Sequence, residues 1–268
     1  MPEVAHLLPL AALTFMLGLR HGMDPDHLIV VDNITRFNAG VHPDRARWCG
    51  LFFSLGHGAA VTAVAGLLAL AAGHHVIPAW VQGIGQWISI GFLLTLGLLN
   101  LHALCVDRRG AVVPRGLRSG VFLRLTHVSH PLAISMIGAA FAISMDTLSQ
   151  AAVFSLAVSG RFAWGAALFL GMVFTLGMLV VDAANGWWIN RMIGRLDNGD
   201  RTWARRLTWA IALLSLGLAG AGLARLAHPL LDVWYDRHAL ALGIASVALT
   251  SAIFFAGLAL MRRAPVRG

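Results

Sequence analysis

Seven apolar runs, each long enough to cross a bilayer as a helix, dominate this sequence of 268 residues, near 6–36, 48–72, 80–104, 131–158, 162–189, 204–226 and 238–261. A hydrocarbon core takes about 20 helical residues to cross, and it offers no water to backbone N–H and C=O groups, so the helix must satisfy them itself. The expectation is an all-α polytopic membrane protein with seven transmembrane helices. Charged residues supply 12% of the chain and the apolar set 58%, against about 25% and 45–50% in soluble domains. Too little polar surface remains to cover a globule in water. A soluble enzyme, a disordered tail and a secreted disulfide scaffold are all excluded.

The net charge of +8 comes from 20 basic residues that are all arginine, set against 12 acidic ones. They form clusters between apolar runs, not one basic face, so a nucleic-acid partner is not expected. The first loop carries Arg36, Arg45 and Arg47; the third Arg108, Arg109, Arg115, Arg118 and Arg124; the fifth Arg191, Arg195, Arg201, Arg205 and Arg206; the C-terminus Arg262, Arg263 and Arg267. The alternate loops are poor in arginine, with Arg161 in the fourth and Arg225 and Arg237 around the sixth. Under the positive-inside rule this puts the N-terminus outside and the C-terminus in the cytoplasm of a cell (inner) membrane. Glu3 and His6 precede the first run where a cleaved signal peptide would carry basic residues. Cys49 and Cys105 share no CxxC or Cys/His spacing and are read as free thiols near helix ends.

The first run is too long. Residues 6–36 would make a helix of about 46 Å, against a core of about 30 Å. In its middle lies Arg20-His21-Gly22-Met23-Asp24-Pro25-Asp26-His27. Pro25 has no N–H to donate, crowds the carbonyl of His21 and disfavours helical angles at Asp24. The helix is expected to break around Gly22–Pro25, near mid-depth.

A weak internal repeat runs through the chain. Met23-Asp24 echoes Met145-Asp146, Phe53-Ser54-Leu55-Gly56-His57 echoes Phe174-Thr175-Leu176-Gly177-Met178, and Leu96-Gly97-Leu98 echoes Leu216-Gly217-Leu218, at offsets of 122, 121 and 120. The offset spans three helices, and an odd number of crossings inverts the second copy. The reading is a single transmembrane domain built as a 3+3 inverted repeat, 1–105 and 125–227, with an extra helix at 238–261. Inverted repeats with broken helices meeting at mid-depth are a recurring transporter architecture. Asp24 and Asp146 are then symmetry mates, as are His57 and Met178.

Ionisable groups inside a membrane cost several kcal/mol each and usually mark a pathway. Here they are His21, Asp24, Asp26, His27 and Asp32 in the first span, His57 in the second, Asp146 in the fourth, and Asp182 with the polar Asn185 in the fifth. On a regular helix His21, Asp24 and His27 would share one stripe. Imidazole nitrogen with carboxylate oxygen suits divalent first-row metals, whereas mutual pairing that merely ties helices together is the plainer alternative. Met178 is a possible soft ligand or an apolar packing residue. His127 and His130 at a helix start could release metal or cap the helix, and Asn100 is open to either reading. His74 and His75 read as a solvated outer loop.

The first-span motif, continued by Asp32-Asn33-Ile34-Thr35-Arg36, resembles the signature of the nickel/cobalt transporter family, the NiCoT permeases: a His-x4-Asp-His core with a downstream Asp-Asn-x-Thr-Arg. Phe52 through His57, Met145-Asp146-Thr147, and Gly177-Met178 through Asp182 to Gly186 resemble its later signatures, so the likeness covers nearly the whole chain. It implies a secondary permease taking up Ni²⁺ or Co²⁺, with His21, Asp24, Asp26 and His27 central and Asp32, His57, Asp146 and Asp182 supporting; Asn33, Arg36, Asn185 and Met178 fall within the same motifs. Family members usually carry an extra N-terminal helix, which is not expected here, and two further departures stand out. Gln150 and Asn185 replace carboxylates usual in the family, which makes the pathway less negative.

The expected function is import of a divalent transition-metal ion as transported substrate, with no cofactor and no catalytic residue. The lipid bilayer is the other partner. No G-x-x-x-x-G-K-[ST] motif occurs, so any ATPase would be a separate chain. The competing readings are metal efflux, and a membrane enzyme using His21 and Asp26 as a His-x4-Asp pair or a metal-activated water.

Overall fold

A computed structural model describes residues 2–70, 79–106, 130–143, 163–196 and 201–228, with scattered positions between 230 and 252. Every regular element among the described residues is helical: α1 (Pro2–Gly22), α2 (Pro25–Val41), a short α3 (Pro43–Ala46), α4 (Cys49–Leu70), α5 (Ala79–Val106), α6 (Pro131–Phe141), α7 (Ala163–Leu196) and α8 (Arg201–Ala227). Among the described residues, three stretches are long and apolar enough to cross a membrane, Cys49–Leu70, Trp164–Arg191 and Thr208–Ala227, with shorter apolar helices at Gln86–His102 and Pro131–Phe141. Large apolar side chains stand exposed along them, among them Leu67, Leu132, Met136, Leu176 and Leu213, as helices bathed in lipid require.

The first span is two helices. α1 ends at Gly22, and Asp24 has left the helical region, with φ −63° and ψ 138°, before Pro25 opens α2 at its first position. A proline there loses nothing, since the first N–H groups of a helix lack intrahelical acceptors. The Asp24 carbonyl takes the first bond of the new helix, from the Leu28 N–H at 3.1 Å. The stripe that a regular helix would give His21, Asp24 and His27 is therefore not formed. The fourth span also departs from a continuous helix over 131–158: α6 stops at Phe141, and Ala142–Ile143 form a turn. This apolar run has no proline to signal the stop. Residues 144–162 lie outside the described positions.

Helix contacts divide the chain into two units, Met1–Met23 with Gly50–Ser89 and His130–Ala184, and Asp24–Cys49 with Ile90–Ser129 and Asn185–Gly268. In the first unit α1, α4, α6 and α7 approach at backbone distance. A Cβ on Gly56 of α4 would overlap the Ser135 carbonyl of α6, and one on Gly18 of α1 would overlap the Phe174 carbonyl of α7. Small residues at such crossings are how membrane helices gain packing where lipid is as apolar as leucine. Val61, Ala65, Ala142, Leu170 and Phe174 form the core cluster.

The second unit is organised around α2. Every residue from 27 to 38 is buried, so the helix has no lipid or water face although it carries Asp32, Asn33, Thr35, Arg36 and Asn38. α8 turns Thr208, Ile211, Ala212, Ser215 and Ala219 inward, a helical repeat of three and four. Asn33 ties three helices together: it donates to Ser215 Oγ of α8 at 3.4 Å and accepts from the Asn100 amide of α5. Arg36 Nη2 donates to Thr208 Oγ1 at 2.7 Å.

Candidate metal site

His21 lies in the last turn of α1 and His57 in the middle of α4, and both are buried. Their Nε2 atoms are 3.3 Å apart, and the rings meet at 5.2 Å between centroids, tilted by 52°. The wall is aromatic. Phe174 lies 5.4 Å from His21 and Phe53 lies 6.1 Å from His57, with Phe141 edge-on to Phe53 at 5.8 Å. The helix crossings described above fix this meeting: Gly18 and Gly22 let α1 lie on α7, and Gly138 lets α6 lie on α4, where an added Cβ would press the His57 amide.

Ligand nitrogens about 2.0–2.1 Å from one divalent ion, at angles between octahedral and tetrahedral, lie about 2.9–3.4 Å apart. The two Nε2 atoms stand within that range. Neutral imidazole is a ligand for first-row divalent ions, and an apolar wall strengthens any electrostatic contact made there.

One turn before His57, Ser54 Oγ donates to Asp182 Oδ2 at 2.7 Å, and Asp182 is fully buried. Gly50 makes room, because a Cβ there would strike the Asp182 carbonyl. Phe174, Met178 and Asp182 are spaced by four along α7 and all fully buried, while Leu176 and Val180 between them face outward. The first unit thus holds His21, His57, Met178 and Asp182, and of these the two imidazoles meet directly.

The second unit holds the other expected residues. His27 is buried, and Asp24 and Asp26 are half-buried; Asp26 Oδ1 accepts from the His27 N–H at 2.9 Å. Asn185 donates to the Leu28 carbonyl at 3.2 Å, so it and Asp182 have different partners despite their spacing of three. Asp32, Asn33 and Arg36 sit on the enclosed face of α2. Asp146, Met145, Gln150, His74, His75 and His127 lie outside the described residues. His130 is a cap, its Nδ1 accepting from the Leu132 N–H at 3.2 Å. Cys49 is buried, Cys105 exposed, and both are free thiols.

Sequence reasoning gave no role to Ser54, Thr208 or Ser215 and left Asn100 open. Hydroxyls are ordinary in membrane helices, and nothing in their spacing sets these apart; their partners alone reveal them.

Apolar helices that enclose a histidine pair and a buried aspartate define a helical membrane protein with a polar site inside its transmembrane region. The chain belongs to the NicO family, described as high-affinity nickel-transport proteins, whose sequence model matches residues 7–262. It is 30% identical over 242 residues to the nickel transporter NicT of Mycobacterium tuberculosis, covering 77% of this chain and 62% of that protein. It is 27% identical over 235 residues to the high-affinity nickel-transport protein NixA of Helicobacter pylori, covering 78% of this chain and 70% of that one. The cobalt transport protein NhlF of Rhodococcus rhodochrous is 28% identical over 251 residues, 81% of this chain and 70% of its own. The chain thus spans less than two thirds of the length of NicT. No solved structure matches it.

Proposed function

We propose that this chain is a secondary permease that imports Ni²⁺, with Co²⁺ as a second cargo, through a site whose centre is the His21–His57 pair. The single observation that carries the reading is the 3.3 Å separation of two buried imidazole nitrogens, a ligand spacing built into apolar surroundings. The motifs in the sequence add His27, Asp24, Asp26, Asp146 and Asp182 to the reading as further nitrogen and oxygen donors. Met178, Asp32, Asn33, Arg36 and Asn185 fall within the same motifs and are read as supporting residues. The names of NicT and NixA favour nickel as the cargo; that of NhlF favours cobalt as the alternative.

Seven spans, an outside N-terminus and an inverted repeat complete the proposal. Two features support the repeat. α1 leaves the helix at Met23–Asp24, and α6 turns at Ala142–Ile143, just before the equivalent Met145-Asp146. Within the first unit, a Cβ on Gly50 would meet Ala183 and one on Gly171 would meet Thr62, and each contact maps onto the other at the offset of 121 found in the sequence. Two inverted halves alternating about a central site would carry the ion across. An inside-negative potential favours entry of a divalent cation by about 4.6 kcal/mol per 100 mV.

Uptake of radiolabelled Ni²⁺ into cells expressing wild type, His21→Ala or Asp26→Asn tests the reading. Accumulation in wild type with loss in both variants is the expected result. Equal accumulation in all three would sink it, and faster loss of preloaded Ni²⁺ from wild-type cells would turn it into efflux.

A further inference from the structure

α2 is enclosed on every side from residue 27 to 38, so no contrast between lipid and protein sets its rotation about its own axis. An amphipathic helix takes that rotation from its apolar stripe; this one must take it from side-chain bonds. α5, α7 and α8 supply them. Asn33 donates to Ser215 Oγ of α8 at 3.4 Å and accepts from the Asn100 amide of α5, and all three residues are buried. The Asn33 amide also donates to the Ile29 carbonyl at 2.8 Å, which holds the side chain against its own helix. Nearer the start of α2, Asn185 of α7 donates to the Leu28 carbonyl at 3.2 Å, next in sequence to His27. Asp26 stands seven residues before Asn33, two turns away on the same face of α2. A side-chain bond between membrane helices shifts the folding equilibrium only about threefold. These bonds therefore do little for the fold as a whole, whereas each removes a freedom of rotation or sliding from α2.

We propose that Asn100, Ser215 and Asn185 are positioning residues for metal binding, which fix the rotation and height of α2 and so aim its donors Asp26 and His27. Asn100 and Ser215 act through Asn33, and Asn185 acts through the Leu28 carbonyl. The inference rests on the reading above, in which those two residues of α2 bind the ion. It gives Asn185 a role that an ionised carboxylate in its place could not fill, since a carboxylate has no proton to donate to a carbonyl. Ligand type alone separates Ni²⁺ from Co²⁺ poorly, and selection between them depends on geometry, which a fixed α2 supplies.

Uptake of radiolabelled Ni²⁺ and Co²⁺ into proteoliposomes holding the purified full chain tests this. Asn100→Leu, Ser215→Ala and Asn185→Asp should each raise the Ni²⁺ concentration for half-maximal uptake about tenfold. Each should also narrow the preference between the two ions while the maximal rate is kept. Ser215→Thr keeps the hydroxyl and should behave as wild type. Unchanged half-saturation in Asn100→Leu and Ser215→Ala, with or without a lower maximal rate, would leave these residues a structural role alone and overturn the proposal. Equal loss in Ser215→Thr and Ser215→Ala would overturn it too. Tighter uptake of Ni²⁺ by Asn185→Asp would make 185 a ligand position and overturn the role given to Asn185. Should Asn100→Leu not fold, the two Ser215 variants decide alone. Wild type that takes up neither ion is a different result, and it defeats the permease reading itself.

Discussion

At the scale of residues, the balance is between nitrogen donors in an aromatic wall and a carboxylate steadied by a hydroxyl. Ser54 is the simplest place to disturb it, because its Oγ–H donates to the fully buried Asp182. Ser54→Ala leaves that oxygen with one donor fewer at a cost of about 1–3 kcal/mol. Thermal unfolding should register the loss, and Ni²⁺ affinity should fall about tenfold, as when an outer partner of a ligand is removed. An unchanged melting temperature would show the bond to contribute nothing. His21 and His57 were legible as ionisable groups in apolar spans, since few explanations besides function put them there. Ser54, Thr208 and Ser215 were not, because a serine or threonine in a membrane helix is inexpensive and leaves no pattern until its partner is known.

At the scale of elements, the break between α1 and α2 and the glycine crossings set the site. The break was legible twice over, from a run too long for the bilayer and from Pro25 within it. Pro25→Ala restores an N–H donor and lifts the restriction on Asp24, so α1 and α2 can fuse through Met23–Asp24. Uptake should then fall about tenfold or more while the protein still reaches the membrane; uptake equal to wild type would mean that the break is dispensable. At the α4–α6 crossing, Gly56→Val must push Ser135 away, an overpacking cost of about 1–3 kcal/mol. The variant should melt earlier and bind Ni²⁺ more weakly, because His57 is the next residue along the helix. The end of α6 at Phe141 was illegible: the turn at Ala142–Ile143 follows no proline and interrupts no apolar pattern. Periodicity was equally silent about α2, whose polar residues look like one side of an amphipathic helix but are enclosed on all sides.

At the scale of the whole molecule, the arginine alternation gives an orientation that the protein's own thiols can test. Cys105, exposed at the end of α5, is free, while Cys49 is buried. A membrane-impermeant maleimide should label Cys105 in inside-out vesicles and leave it unlabelled in intact cells; the reverse pattern would invert the topology. The apolar composition made the helical membrane class legible at once, and the motifs made the family legible. The meeting of His21 with His57 was not, since 36 residues separate them in sequence and only the glycine crossings bring α1 and α4 to share α7. That meeting is the central claim, and X-ray absorption at the nickel edge of the Ni²⁺-loaded protein tests it most directly. Wild type should show imidazole scattering from at least a pair of histidine nitrogens at about 2.0–2.1 Å, reduced in His57→Ala. A spectrum of oxygen ligands alone, or one that His57→Ala leaves unchanged, would contradict it.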